Sequence, residues 1–137
     1  MEGQCSRMVL CSLMKLVLKE TSSASTIFHF ELRDGDTTVG KLELYPTPIK
    51  KDSYPEGYES HFYYEIEPEY RGKGYGIEIL KLGLLEAKNI GLRRVSIICT
   101  DENIAAQKTI QENGAQFQES KMLENGQQVF KYKVDFS

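Results

Sequence analysis

The stretch that most constrains this chain is Glu67-Pro68-Glu69-Tyr70-Arg71-Gly72-Lys73-Gly74-Tyr75-Gly76-Ile77-Glu78-Ile79-Leu80. Pro68 closes an aromatic, strand-like run. Three glycines follow on alternate positions, and a helical period begins at Ile77. A chain that leaves a strand, turns through glycines and enters a helix points several backbone N–H groups outward. Together with the positive end of the helix dipole, those donors bind phosphate or another anion. Glycine suits the turn because a Cβ would hold a phosphate away from the backbone, and because positive φ costs glycine little.

Three glycine-loop chemistries compete for such a turn. A Walker loop requires Gly-x-x-x-x-Gly-Lys-Ser/Thr. Here Lys73 precedes Gly74, and no Ser or Thr follows to hold magnesium. A dinucleotide fingerprint requires Gly-x-Gly-x-x-Gly. Counted from Gly72 its third glycine falls on Ile77, and from Gly74 on Ile79. The spacing that remains is Arg71-x-x-Gly74-x-Gly76.

The rest of the chain surrounds this loop. Residues 1–13 read as a weakly structured extension, natural or a start-site artefact, since Met8 and Met14 are both usable starts. The apolar run at 8–18 is broken by Lys15 and lacks a basic start and a small-residue cleavage site. It is also too short to span a membrane. Residues 14–137 read as a single domain without repeat or linker. A first strand starts at Lys15, and residues 21–25 form a small-polar loop. Residues 26–33 and 37–45 pair as a hairpin around Asp34-Gly35-Asp36. Residues 46–57 hold three of the four prolines and show no period. They read as a loop close to a substrate, with Lys50 and Lys51 solvated.

An aromatic strand spans 58–67. The helix after the glycines carries Ile77, Leu80, Leu84 and Ala87 on one face, widened by Ile79, Leu82 and Leu85, and stops at Gly91. Residues 93–100 form a buried strand. Strand, helix, strand in this order is a right-handed unit whose two strands are parallel. A second helix spans 104–113, with Asp101 or Asn103 as its cap. Residues 117–123 and 127–136 close the chain as a hairpin around the turn Glu124-Asn125-Gly126, whose Asn-Gly pair is a strong hairpin signal. The expected fold class is therefore α/β, a mixed sheet with helices packed on it.

Charge excludes one function class. Seventeen Lys and Arg stand against 20 Asp and Glu, a net charge of −3, whereas nucleic-acid surfaces are strongly basic. Three cysteines without a CxxC pair, and only two histidines, speak against a disulfide framework and a metal site. The expected compartment is the reducing cytoplasm.

The loop Arg71-x-x-Gly74-x-Gly76 has a second motif downstream. Asp101-Glu102-Asn103-Ile104-Ala105-Ala106 leads to Glu112-Asn113-Gly114-Ala115 about thirty residues after the loop. With these two motifs in this element order, the chain resembles the GNAT superfamily of N-acetyltransferases from about Thr26 to its C-terminus. The resemblance implies a mostly antiparallel sheet whose central parallel pair splays apart, with flanking helices. It implies acetyl-CoA as co-substrate and a primary amine of a small molecule or protein as acceptor. Ile66 and Glu67 would hold pantetheine, and Arg71, Gly72, Lys73, Gly74, Tyr75 and Gly76 the pyrophosphate. Asn103 and Ala106 would touch the pantetheine side.

Two departures follow. Between the first two strands there is no room for the one or two helices that usually shape the acceptor pocket. Those helices are reduced or missing, and a second copy in a homodimer is one way to complete the pocket. Relatives also place a proton-donating tyrosine seven residues after the asparagine, where this chain has Ile110. Water, no acid at all, or Tyr63, Tyr64 or Tyr132 would then serve the leaving thiolate. For the base, the aromatic strand offers Glu59, His61 and Glu65 on one face. Glu65 is favoured as nearest the thioester, and His61 reads more readily as a partly buried strand residue. Cys99 reads as a buried hydrophobe. A non-catalytic acyl-CoA-binding module is the alternative, and a nucleotide-binding regulator a more distant one.

Overall fold

The computed structural model describes residues 14–22 and 27–136. The expected extension at 1–13 lies outside the described residues, as does most of the loop expected at 21–25. Seven strands and two α-helices follow in order: β1 (Met14–Ser22), β2 (Ile27–Asp34), β3 (Thr37–Ile49), β4 (Ser60–Ile66), α1 (Tyr75–Asn89), β5 (Arg94–Thr100), α2 (Ile104–Glu112), β6 (Gln116–Met122) and β7 (Gln128–Asp135). A single 3-10 turn, Pro68–Tyr70, precedes the glycines. β1 pairs directly with β2, antiparallel, and only residues 23–26 separate them.

Hydrogen bonding divides the strands into a four-stranded sheet, β1-β2-β3-β4, and a three-stranded one, β5-β7-β6. Every ladder is antiparallel. No ladder joins β4 to β5. They meet through side chains at their starts. Ser96 N–H donates to His61 Nδ1 at 2.9 Å, and the Ser60 hydroxyl oxygen lies 3.5 Å from the Ser96 carbonyl oxygen. The later halves of both strands line one cavity. Joined at their starts and parted at their ends, β4 and β5 run in the same direction and splay.

The core follows the alternation of the strands. Phe30 and Leu32 of β2, Leu42 and Leu44 of β3, and Phe62 and Ile66 of β4 turn to the face that α1 covers with Ile79, Leu80, Leu84 and Ala87. Each of these Leu, Ile and Phe side chains stabilises the fold by about 1.5–3 kcal/mol. Gly83 lets the helix approach, because a Cβ there would lie 2.8 Å from Leu42 Cδ2. Leu85, expected on the apolar face, is 52% exposed.

Two sequence expectations are corrected. β1 continues through Thr21 and Ser22, into the expected loop. β3 runs on through Pro46 and Pro48 to Ile49, because its register with β4 jumps between Leu44 and Ile49 and no ladder N–H is needed there. The last hairpin turns on the expected residues, Glu124-Asn125-Gly126. Leu123 N–H donates to the Gln127 carbonyl at 2.7 Å, leaving a three-residue loop that Gly126 closes at φ 88°.

Candidate active site

The splay leaves two strand edges facing one another. Glu67 N–H donates to the Val39 carbonyl at 2.8 Å. That bond sets the phase of the β3–β4 ladder. Tyr63, Glu65 and Glu67 direct their backbone groups at β3, while Phe62, Tyr64 and Ile66 direct theirs toward β5. On β5, Phe136 N–H donates to the Arg93 carbonyl at 2.8 Å and Asp101 N–H to the Gln128 carbonyl at 2.9 Å. By the same alternation, Ser96, Ile98 and Thr100 face β4.

Side chains and turns close the two ends of this gap. The Phe62 carbonyl accepts from the Ser60 hydroxyl at 3.0 Å, and the Ile66 carbonyl from Arg71 Nε at 2.9 Å. The Thr100 carbonyl accepts from Asn103 N–H at 3.1 Å. Between them, the N–H and C=O of Tyr64 and Ile98 and the N–H of Ile66 and Thr100 face the gap with no ladder to receive them. Such groups are costly when buried unpaired, about 1–3 kcal/mol each. An amide-bearing chain laid between the strands would satisfy them.

The glycine loop adjoins this gap. Gly72 and Gly74 have φ of 76° and 89°, and nothing lies within 4 Å of where their Cβ atoms would be. Gly74 is the N-cap of α1 and supplies no side-chain acceptor. The helix's internal ladder starts with Glu78 N–H on the Gly74 carbonyl at 3.3 Å. The N–H groups of Tyr75, Gly76 and Ile77 are therefore its orphan donors. The Tyr75 hydroxyl donates to Asp34 Oδ2 at 2.6 Å and pins the loop to the β2–β3 turn. That hydrogen bond, with burial, raises the hydroxyl's pKa. Gly76 lets the two helices touch, since a Cβ there would lie 3.3 Å from Thr109 Oγ1. Asn103 caps α2, its Oδ1 accepting from Ala106 N–H at 3.0 Å; Asp101 is not the cap.

Gap and loop open into one cavity of about 930 Å³. Of the residues singled out from sequence, Tyr64, Glu65, Ile66, Arg71, Gly72, Gly74, Tyr75, Gly76, Asn103 and Ala106 line it. Three do not. Glu67 spends its N–H on β3. Lys73 holds its ammonium 5.9 Å from the centre of the Tyr70 ring. His61 is buried, with Nδ1 occupied by Ser96 N–H, and burial lowers its pKa. His61 thus bridges the two sheets as a neutral imidazole. The face expected for Glu59, His61 and Glu65 divides accordingly: His61 is buried and Glu65 exposed, while Glu59 accepts from Gly57 N–H at 3.0 Å.

Tyr64 reaches to the α2 side of the cavity, near Thr109 and Cys99, and burial raises its pKa. Burial pushes the Cys99 thiol up to about 11, so it stays protonated. Ile110 is 1% exposed and belongs to the core. Glu65 lies on the outer face of the sheet, 3.8 Å from Lys41. Beside it, the Tyr45 hydroxyl donates to Glu43, whose other oxygen lies 3.2 Å from His29 Nδ1. Burial, with that carboxylate, raises the Tyr45 pKa. Sequence reasoning missed Tyr45, Lys50, Lys51, Tyr54 and Tyr58 on the cavity wall. The prolines around 46–55 signalled a loop near the substrate but not which side chains it presents.

A split sheet with an uncapped helix N-terminus at the mouth of the split defines a class of α/β protein built to hold an extended, phosphate-bearing ligand. The acetyltransferase (GNAT) family model matches residues 9–115, and the chain belongs to that family. Among solved structures, it is similar to a Bacillus subtilis acetyltransferase in complex with coenzyme A. Identity is 14% and the TM-score 0.67, over 90% of this chain and 99% of that one. It is also similar to a Salmonella typhimurium acetyltransferase that modifies the N-terminal serine of ribosomal protein L7/L12, at 16% identity and TM-score 0.61 over 81% of this chain. A spermidine N-acetyltransferase from Vibrio cholerae matches at 20% identity and TM-score 0.61 over 80% of this chain. The chain spans 64% of the length of each of these last two. No curated protein matches it. No described helix is long and apolar enough to cross a membrane.

Proposed function

We propose that this chain is an acetyl-CoA-dependent N-acetyltransferase acting on a primary amine in a ternary complex. One observation carries the reading: the unladdered backbone edges of Tyr64, Ile66, Ile98 and Thr100 run into the open N-terminus of α1 within a single cavity. Acetyl-CoA supplies the activated acyl thioester. The N–H groups of residues 72–77 hold its pyrophosphate, with Arg71 fixing the loop to the end of β4. The edges of β4 and β5 receive the pantetheine amides, and Asn103 and Ala106 border them.

A strand-edge N–H in the gap stabilises the oxyanion as the amine nitrogen attacks the acyl carbon. The C–N bond forms, the C–S bond breaks, the amine's proton goes to Glu65, and Tyr64 protonates the departing sulfur. The usual tyrosine position is the buried Ile110, and Tyr64 brings a hydroxyl to the same space from β4. A free, buried Cys99 fits a reducing compartment, the cytoplasm, as the place of work.

Calorimetric binding of coenzyme A, with thiol release from acetyl-CoA measured on an amine panel, tests the reading. The panel holds spermidine, a peptide beginning with serine, and simple primary amines. Binding with release on at least one member is expected. Binding without release on any member would favour a non-catalytic acyl-CoA module, as Ile110 suggests. Failure to bind coenzyme A at all overturns both.

A further inference from the structure

The cavity wall is electrically lopsided. In a chain of net charge −3, the charged side chains on that wall are Lys50, Lys51, Arg71 and Lys108 against one carboxylate, Glu65. The fold separates the cations into two pairs. Arg71 and Lys108 stand with the phosphate loop and α2. Lys50 and Lys51 follow Ile49, which pairs with Ser60 at the start of β4. The phosphate loop follows the other end of β4, about 20 Å away at 3.3 Å per residue. A pyrophosphate seated on the loop therefore leaves Lys50 and Lys51 without an anion.

The protein supplies none either. Among the described residues neither ammonium is held by a carboxylate. Lys51 stacks over the Tyr54 ring at 5.6 Å, and Lys50 Nζ lies 3.5 Å from the Lys51 carbonyl. The acids of the same segment, Asp52, Glu56 and Glu59, are off the cavity wall. The same wall carries Ile49, Tyr54, Tyr58 and Tyr63. Such a wall suits a ring or aliphatic body.

We infer that the acceptor is a small amine that also carries an anionic group, its amine end drawn to Glu65 and its anionic end to Lys50 and Lys51. This rests on the acyl-transfer reading of the same cavity. An amine with a second positive charge meets repulsion at the lysine end, whereas a zwitterion is aligned by the field across the cavity.

The test uses matched probes on the full chain. L-tyrosine and tyramine differ by one carboxylate, O-phosphoethanolamine carries a phosphate instead, and spermidine carries only positive charge. L-tyrosine or O-phosphoethanolamine is expected to exceed tyramine and spermidine in kcat/KM by about tenfold or more, a gain near 1.4 kcal/mol. Which of the two wins separates a carboxylate from a phosphate. A Lys50→Glu, Lys51→Glu double variant should reverse the preference while its calorimetric affinity for coenzyme A stays within twofold.

Wild-type preference for tyramine or spermidine, or a preference the double variant leaves in place, overturns the inference and spares the enzyme. If coenzyme A binds and no amine releases thiol, the enzymatic reading fails. Calorimetric titration of the four probes into the coenzyme A complex then decides the anion preference alone, equal binding or none overturning it.

Discussion

Tyr64 and Glu65 are neighbours on β4 and therefore point to opposite faces of the sheet. The cavity reaches both, so one strand can offer a proton on its α2 side and take one up on its outer side. Tyr64's raised pKa keeps its hydroxyl protonated at neutral pH. Tyr64→Phe should lower kcat on the order of a hundredfold, as loss of a general acid does, with coenzyme A affinity unchanged by calorimetry. Glu65→Gln should lower kcat by about tenfold or more with coenzyme A affinity unchanged; an unchanged kcat removes Glu65 from the mechanism. His61 governs stability instead. Its pKa lies below 6.5 in the fold, because burial disfavours the imidazolium. As pH falls through 6.5 the unfolded chain takes up a proton that the fold resists, so stability drops until the lower folded pKa is passed. Urea midpoints should fall from pH 7 to 5, and His61→Asn, which keeps an acceptor for Ser96 N–H, should fall less.

The glycines of α1 and its entry loop separate affinity from stability. Gly74→Ala places a side chain at φ 89°, which costs about 1–2 kcal/mol, and adds a Cβ where the ligand's phosphates approach; its coenzyme A affinity should fall by tenfold or more. Gly83→Ala improves helix propensity by about 1 kcal/mol. It also drives a Cβ to 2.8 Å from Leu42 Cδ2 and 3.2 Å from Phe62 Cε1, side chains buried in the core. Overpacking wins there, so urea unfolding should show a net loss of about 1–2 kcal/mol with little change in coenzyme A affinity. These elements were legible in the sequence because their signals are local. A proline, alternate glycines, a 3.6-residue period and Gly91 bound α1 to within two residues of its observed span. What stayed hidden depends on register. The β3–β4 ladder jumps at the prolines, and that jump carries Lys50, Lys51 and Tyr54 to the cavity. His61 already reads more readily as a partly buried strand residue than as a base, but the Ser96 N–H that occupies its Nδ1 comes from a strand 35 residues away.

At the scale of the molecule, the described residues form two sheets that share one core yet have no ladder between them. Ser60, His61 and Ser96 fasten the closed end of the gap, and α1 with α2 flanks the open one. On the proposed reading, a ligand threaded into the gap would act as the missing strand. It would supply acceptors for the N–H groups of Tyr64, Ile66, Ile98 and Thr100, which no other described element reaches. Hydrogen exchange should therefore slow at those four amides when coenzyme A is added. The amides of Glu65 and Glu67, which the β3 ladder already holds, should change only through the global gain. At a hundred times its dissociation constant the ligand adds about 2.7 kcal/mol to the unfolding free energy, and every amide that exchanges by global unfolding shares that amount. The local surplus at the four edge amides is the signature of strand insertion. Uniform slowing, with no surplus along β4 and β5, would show that coenzyme A is held by the phosphate loop alone and that the gap between the sheets is not its path.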